Sequence, residues 1–127
     1  MIYVAGSGPS SKGHRFAHVV TKKKVHWDYE HIVVPRGAWA VNDKAISWDK
    51  YPEKKKWAKY YEQFTSCKPS NGLMAVFVAI DIYNPDEITL IGFDNILDAV
   101  KATQHKWEAE RRCIESLVKI IDPRQGS

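Results

Sequence analysis

Cysteine is scarce, Cys67 and Cys113 being the only two in 127 residues. A pair so isolated excludes a disulfide framework and a cysteine-ligated zinc, and each reads as a buried or bystander thiol. Long hydrophobic runs are absent too, none approaching the roughly 20 residues that cross a bilayer. Met1-Ile2-Tyr3-Val4 carries no basic leader, so no signal peptide is expected and the chain reads as cytoplasmic. His14, His18, His26 and His31 lack the spacing of metal ligands, which leaves them surface or packing roles. No internal repeat and no long linker divides the sequence, so residues 1–127 are expected to form one domain.

What is present suits an ordinary globular protein with a single core, 44% hydrophobic and 12% aromatic. The formal charge of +4 is modest, but Lys22-Lys23-Lys24 and Lys54-Lys55-Lys56 concentrate it near Trp27 and Trp57. Lysines that meet phosphates beside aromatics on which bases stack would make a nucleic-acid surface. The plainer reading, a solvated helix face, is preferred.

Along the chain, Ile2 to Ala5 reads as a buried strand and Gly6 to Gly13 as a loop whose glycines allow close approach to a ligand. His14 to Lys24 is predicted helical, with Phe16, Val19 and Val20 on one side and lysines at the C-terminal end. His31 to Val34 is a second strand, closed by Pro35-Arg36-Gly37, and Ala45 to Trp48 a short third. Pro52 suits a first helical position, and Trp57, Tyr60, Tyr61 and Phe64 recur at helical spacing through Glu53 to Phe64. Gly72 to Tyr83 fits a buried helix, although Val76, Phe77, Val78 and Ile80 suit a strand equally by propensity. Pro85-Asp86 turns into the strand Ile88 to Ile91, and Lys106 to Ile121 is predicted as a final amphipathic helix before a polar tail, Asp122 to Ser127. Strands alternating with helices favour an α/β fold with parallel strands.

In such a sheet ligands bind beyond the carboxyl ends of the strands, which directs attention to the turns after Ala5 and after Ile91. Gly6, Ser7, Gly8 and Ser10 have a route to phosphate or ribose, or form a tight structural turn. Ser70, Asn71 and Gly72 open a helix, either as caps for its orphan N–H groups or as a nest for an anion. Asp94 closes the strand after Gly92-Phe93, and His105 follows by a short segment. At a helix N-terminus His105 stays neutral against the dipole and can accept a proton, so it is the candidate base. Glu110 lies about 140° around an ideal helix from it and is read as structural support.

Three stretches in order resemble the animal-type sialyltransferases, a glycosyltransferase family. Pro69-Ser70-Asn71-Gly72, an apolar helix, Asp86-Glu87 and a strand closing on Gly92-Phe93 are similar to the family's small motif. His105 with Glu110 matches the very small motif, and Val4-Ala5-Gly6-Ser7-Gly8-Pro9-Ser10 is similar to the glycine turn that opens the large motif in bacterial and phage-like members. Ser7 stands where the family has Asn, Asn71 replaces Ser or Thr, and Arg36 and Asn42 are the nearest polar candidates for a second Asn. No His lies between Asp94 and Gln104, where the family carries one, and the chain is shorter than the usual catalytic domain.

The resemblance decides Gly72 to Tyr83 as helix and implies a Rossmann-like three-layer sandwich around a small, mostly parallel sheet. It implies an inverting transfer of a sugar, sialic acid or a relative, from a CMP-type nucleotide donor to a hydroxyl acceptor. No metal and no other cofactor is expected, in keeping with the lack of an Asp-x-Asp motif; Asp28-Tyr29-Glu30 is the nearest sequence and precedes a strand. His105 would take the acceptor proton while the turns at Gly6 and Ser70 hold the departing phosphate. Two alternatives remain: a nucleotide-binding or nucleotide-hydrolysing protein without transfer, and a nucleic-acid-binding module.

Overall fold

The computed structural model describes residues 2–6, 17–20, 31–34, 44–98 and 106–124. In chain order these form β1 (Ile2–Ala5), β2 (Ala17–Val20), β3 (His31–Val34), β4 (Ala45–Ser47), a 3-10 turn (Trp48–Lys50), α1 (Lys54–Tyr61), α2 (Asn71–Tyr83), β5 (Glu87–Ile91), α3 (Asp94–Leu97), α4 (Trp107–Glu115) and β6 (Lys119–Ile121). The strands make one α/β sheet in the order β4-β3-β2-β1-β5-β6. β1 and β5 run parallel in register from Ile2 opposite Ile88 to Ala5 opposite Ile91, as expected. β5 with β6 and β3 with β4 are parallel also, whereas β2 is antiparallel to both neighbours.

Register sorts the strand residues onto two faces. Ile2, Val4, Val33, Ile88 and Leu90 share one face by alternation and join a core with residues from all four helices, among them Trp57, Phe77, Ile96 and Ile114. Ala5, Ile32, Val34, Thr89 and Ile91 look the other way and are buried too. Strands buried on both faces read as continuous apolar runs, which is why Ile2–Ala5 and Ile88–Ile91 were recognisable.

α2 is the central helix, with every residue from Leu73 to Ala79 buried. An all-round apolar helix belongs in a core, and this packing settles the strand-or-helix ambiguity of Val76 to Ile80. Ser70 caps its start by accepting from the Leu73 N–H at 3.3 Å. Asn84 ends it in the left-handed conformation, φ 44°, and Pro85 follows. α1 packs across α2 through Trp57, whose ring stacks on Phe77 at 4.4 Å between centroids.

The far end of α2 carries Asp81, which accepts from the Tyr51 hydroxyl (2.6 Å), Trp57 Nε1 (2.8 Å) and Lys56 Nζ (3.0 Å). Burial opposes its ionisation, but the bonds from Trp57, Tyr51 and Lys56 outweigh that and hold its carboxyl below the usual value. Asp81→Ala leaves the indole N–H of buried Trp57 without its acceptor and is expected to cost about 1–2 kcal/mol in denaturant unfolding. Because the folded value is depressed, the Asp81 contribution is present above the usual carboxylate range and lost as pH falls through the folded value. The variant should therefore flatten the acid limb of wild-type stability.

Two expected helices are corrected. The segment His14 to Lys24 contains the strand β2 at Ala17–Val20, paired antiparallel with β1 and β3, so the long-range ladder overrides the local helical spacing. The last helix stops at Glu115 rather than Ile121: the Ser116 hydroxyl turns back onto the Cys113 carbonyl (2.6 Å), and Lys119–Ile121 pairs with β5 as β6. Among the described residues no helix is long and apolar enough to cross a membrane.

Candidate functional site

The parallel pair β1 and β5 brings the carboxyl ends of both strands to the same end of the sheet, where the Gly6 N–H donates to the Ile91 carbonyl at 2.7 Å. Gly92 then turns with φ 73°, a left-handed conformation that favours glycine. The turn aims the buried Phe93 ring back between the two glycine turns. A Cβ on Gly6 would lie 3.2 Å from Phe93 Cε1 and 2.9 Å from the Gly92 carbonyl oxygen; one on Gly72 would lie 2.7 Å from Cε2 and 2.8 Å from Cζ. Opposite edges of one ring therefore touch the β1 turn and the first turn of α2. These turns, far apart in sequence, stand on either side of a single side chain.

The first turn of α2 is fixed from a second direction. Glu110, on α4, is fully buried and accepts from the Ser70 backbone N–H at 3.1 Å through Oε2 and from the Ser70 hydroxyl through Oε1. The Tyr61 hydroxyl, from α1, is buried beside it without a hydrogen bond of acceptable geometry. Burial pushes the Glu110 carboxyl up to about 7, although the Ser70 bonds and Tyr61 favour the charged form. A folded value raised above the ordinary 4.5 means that the contribution to stability is complete below about 4.5 and lost as pH rises through about 7. Unfolding followed across that range should show this descending limb, and Glu110→Gln should remove it.

Of the residues expected at the site, Ser70, Asn71 and Gly72 stand together at the start of α2, and Glu110 reaches Ser70 from α4. Asp94 begins α3 at the sheet edge, where its carboxylate meets Arg124 at 3.2 Å. Arg124 also pairs with Asp98 (2.9 Å) and Asp122 (3.0 Å), tying the segment after β6 across α3. Ser7, Gly8, Ser10, Arg36, Asn42 and His105 lie outside the described residues. Phe93 and Arg124 were not expected as site residues: Phe93 stood in the motif as a strand end, and Arg124 in the tail carried no signal.

Two lysines of the Lys54–Lys56 run are ion-paired. Lys54 pairs with Asp49 (3.1 Å), and Lys56 with Glu53 (3.3 Å) and Asp81 (3.0 Å). Trp57 is 6% exposed and stacked on Phe77, so its faces are not offered to bases. Cys67 and Cys113 are free thiols, and burial pushes that of Cys113 up to about 12, which suppresses its reactivity. Among the described residues no three His, Cys, Asp or Glu are grouped to hold a metal ion. Comparison with protein-family models, with curated proteins and with solved structures returns no match.

Proposed function

We propose that this chain binds the donor of a sugar transfer, a CMP-type nucleotide sugar, at the sheet edge where the β1 turn and the start of α2 meet. The observation that carries the reading is the Phe93 ring held between Gly6 and Gly72. It brings the end of β1 and the first turn of α2, whose opening amides can be directed at an anion, together at the carboxyl ends of parallel strands. The Ser70–Glu110 bonds favour the same reading, since they join the two stretches that resemble the family's small and very small motifs.

In this reading the phosphate rests against the first-turn amides of α2 and the turn after β1, and Asp94 lies at the edge beside it. His105 takes the proton of a hydroxyl acceptor as that oxygen attacks the anomeric carbon, and the nucleoside monophosphate leaves with inversion. The burial of Ala5, Ile32, Val34, Thr89 and Ile91 on the face away from the described helices supports the three-layer, Rossmann-like form of the fold. A cytoplasmic location is part of the same proposal.

Incubation with CMP-sialic acid and a panel of hydroxyl acceptors, followed by phosphorus NMR, tests it. Acceptor-dependent release of CMP is expected. Binding of CMP without release from any donor would instead favour a nucleotide-binding protein that does not transfer. The pairing of Lys54 and Lys56 and the burial of Trp57 weigh against a nucleic-acid surface at that run, whereas Lys22, Lys23, Lys24 and Trp27 lie outside the described residues.

A further inference from the structure

A cleft of about 430 Å³ opens between the end of α3, the exposed side of α4 and the edge strand β6. That volume lies within the range of small-molecule sites, roughly 300–1,000 Å³. Its apolar lining is Leu97, Val118 and Ile120, of which Val118 is buried. Four charged residues complete it, and most of their polar atoms are already committed. Arg111 donates from Nε to Glu115 Oε1 (2.7 Å) and from Nη1 to the Leu97 carbonyl (2.9 Å), which leaves Nη2 as its one nitrogen without a bond among the described residues. Asp122 accepts from Arg124 through both carboxylate oxygens, each at 3.0 Å. The Lys119 ammonium has neither a hydrogen bond nor an ion pair among the described residues. With Arg111 balanced by Glu115 and Asp122 by Arg124, Lys119 is the one cation of the lining left uncompensated.

We propose that this cleft binds a small organic monocarboxylate, its apolar body on Leu97, Val118 and Ile120 and its carboxylate between Lys119 Nζ and Arg111 Nη2. The single charge follows from the balance of the lining. One uncompensated cation matches one negative charge, whereas a phosphate dianion would set a second charge against Glu115 and Asp122. The carboxylate geometry follows from the donors. Arg111 has spent Nε and Nη1 and no longer offers the paired fork that grips both oxygens of one anion, so one oxygen goes to Nη2 and the other to the ammonium. The apolar body follows from the remaining lining, since an ion the size of acetate would leave most of the volume and all three apolar side chains unused. The cleft shares no residue with the Gly6–Phe93–Gly72 contact, so this inference does not depend on the nucleotide reading.

Titration of the full chain with benzoate, followed by amide NMR at low ionic strength, tests the site, with benzamide as a neutral counterpart of the same shape. Benzoate is expected to give saturable shift changes centred on Leu97, Arg111 and residues 115–122, and benzamide to bind about tenfold more weakly or worse. Lys119→Gln should weaken benzoate binding by about tenfold, because it removes the uncompensated charge. Glu115→Gln should tighten it by about threefold, because it removes a charge that opposes the ligand. Both side chains are exposed, and the unchanged spectrum of each free variant reports that it folds. Equal binding of benzamide and benzoate, full affinity in Lys119→Gln, shifts centred on other residues, or tighter binding of inorganic phosphate than of benzoate would each overturn the proposal. So would the absence of saturable binding by benzoate, phenylacetate and hexanoate alike. Should a variant fail to fold, the comparison of benzoate with benzamide on the wild type decides alone.

Discussion

Phe93→Ala is expected to destabilise the protein by about 3–5 kcal/mol, the range for emptying a buried aromatic site. The ring is 4% exposed and belongs to the main core. Its loss removes more than area, because the same ring spaces the β1 turn from the start of α2. Urea unfolding should show the loss as a lower midpoint with little change in slope. Under conditions where the variant is still folded, CMP binding should be lost as well, since nothing then holds the two turns at a fixed separation.

Gly72→Ala approaches the same contact from the other side, with an expected cost of about 3 kcal/mol, at the upper end for overpacking a filled site. The added methyl would meet two atoms of a rigid ring at 2.7 and 2.8 Å, distances that require something to move. Alanine is otherwise the better helix former, so propensity alone predicts a gain. A measured loss therefore reports the ring. Combining Gly72→Ala with Phe93→Leu should be less damaging than the sum of the single changes by about 1 kcal/mol, because the smaller side chain vacates the space that the methyl needs. Simple additivity would mean that the glycine and the ring do not act on each other.

Legibility in the sequence followed the range of the forces involved. β1, β5 and α1 were visible because each carries a local pattern, apolar runs in Ile2–Ala5 and Ile88–Ile91 and helical spacing of Trp57 and Tyr61, whereas the apolar run of α2 suited strand equally and only the resemblance decided it as helix. β2 was not, since Ala17–Val20 suits helix or strand locally and acquires its identity from pairing with β1 and β3. β6 has only three residues and continues the apolar spacing of α4, so nothing short of the β5 edge distinguishes it.

The site divides in the same way. Ser70, Gly72 and Glu110 were marked by their motifs. That it would grip Ser70, and that Phe93 would lie between two glycines, are tertiary facts without a local signature. Asp94 was expected toward a ligand, yet its described ion pair is to Arg124, from a segment that read only as polar tail.

Binding of CMP against UMP, GMP and AMP, followed by thermal shift on the full chain, tests the proposed site most directly. A ligand at 100 times its dissociation constant stabilises by about 2.7 kcal/mol, which for a domain of this size raises the midpoint by about 10 °C. The expected result is a shift of that order for CMP and CMP-sugars, absent for the other nucleotides and absent in Gly72→Ala. An equal response to all four nucleotides, or none to any, would contradict a cytidine-nucleotide site at the Gly6–Phe93–Gly72 contact.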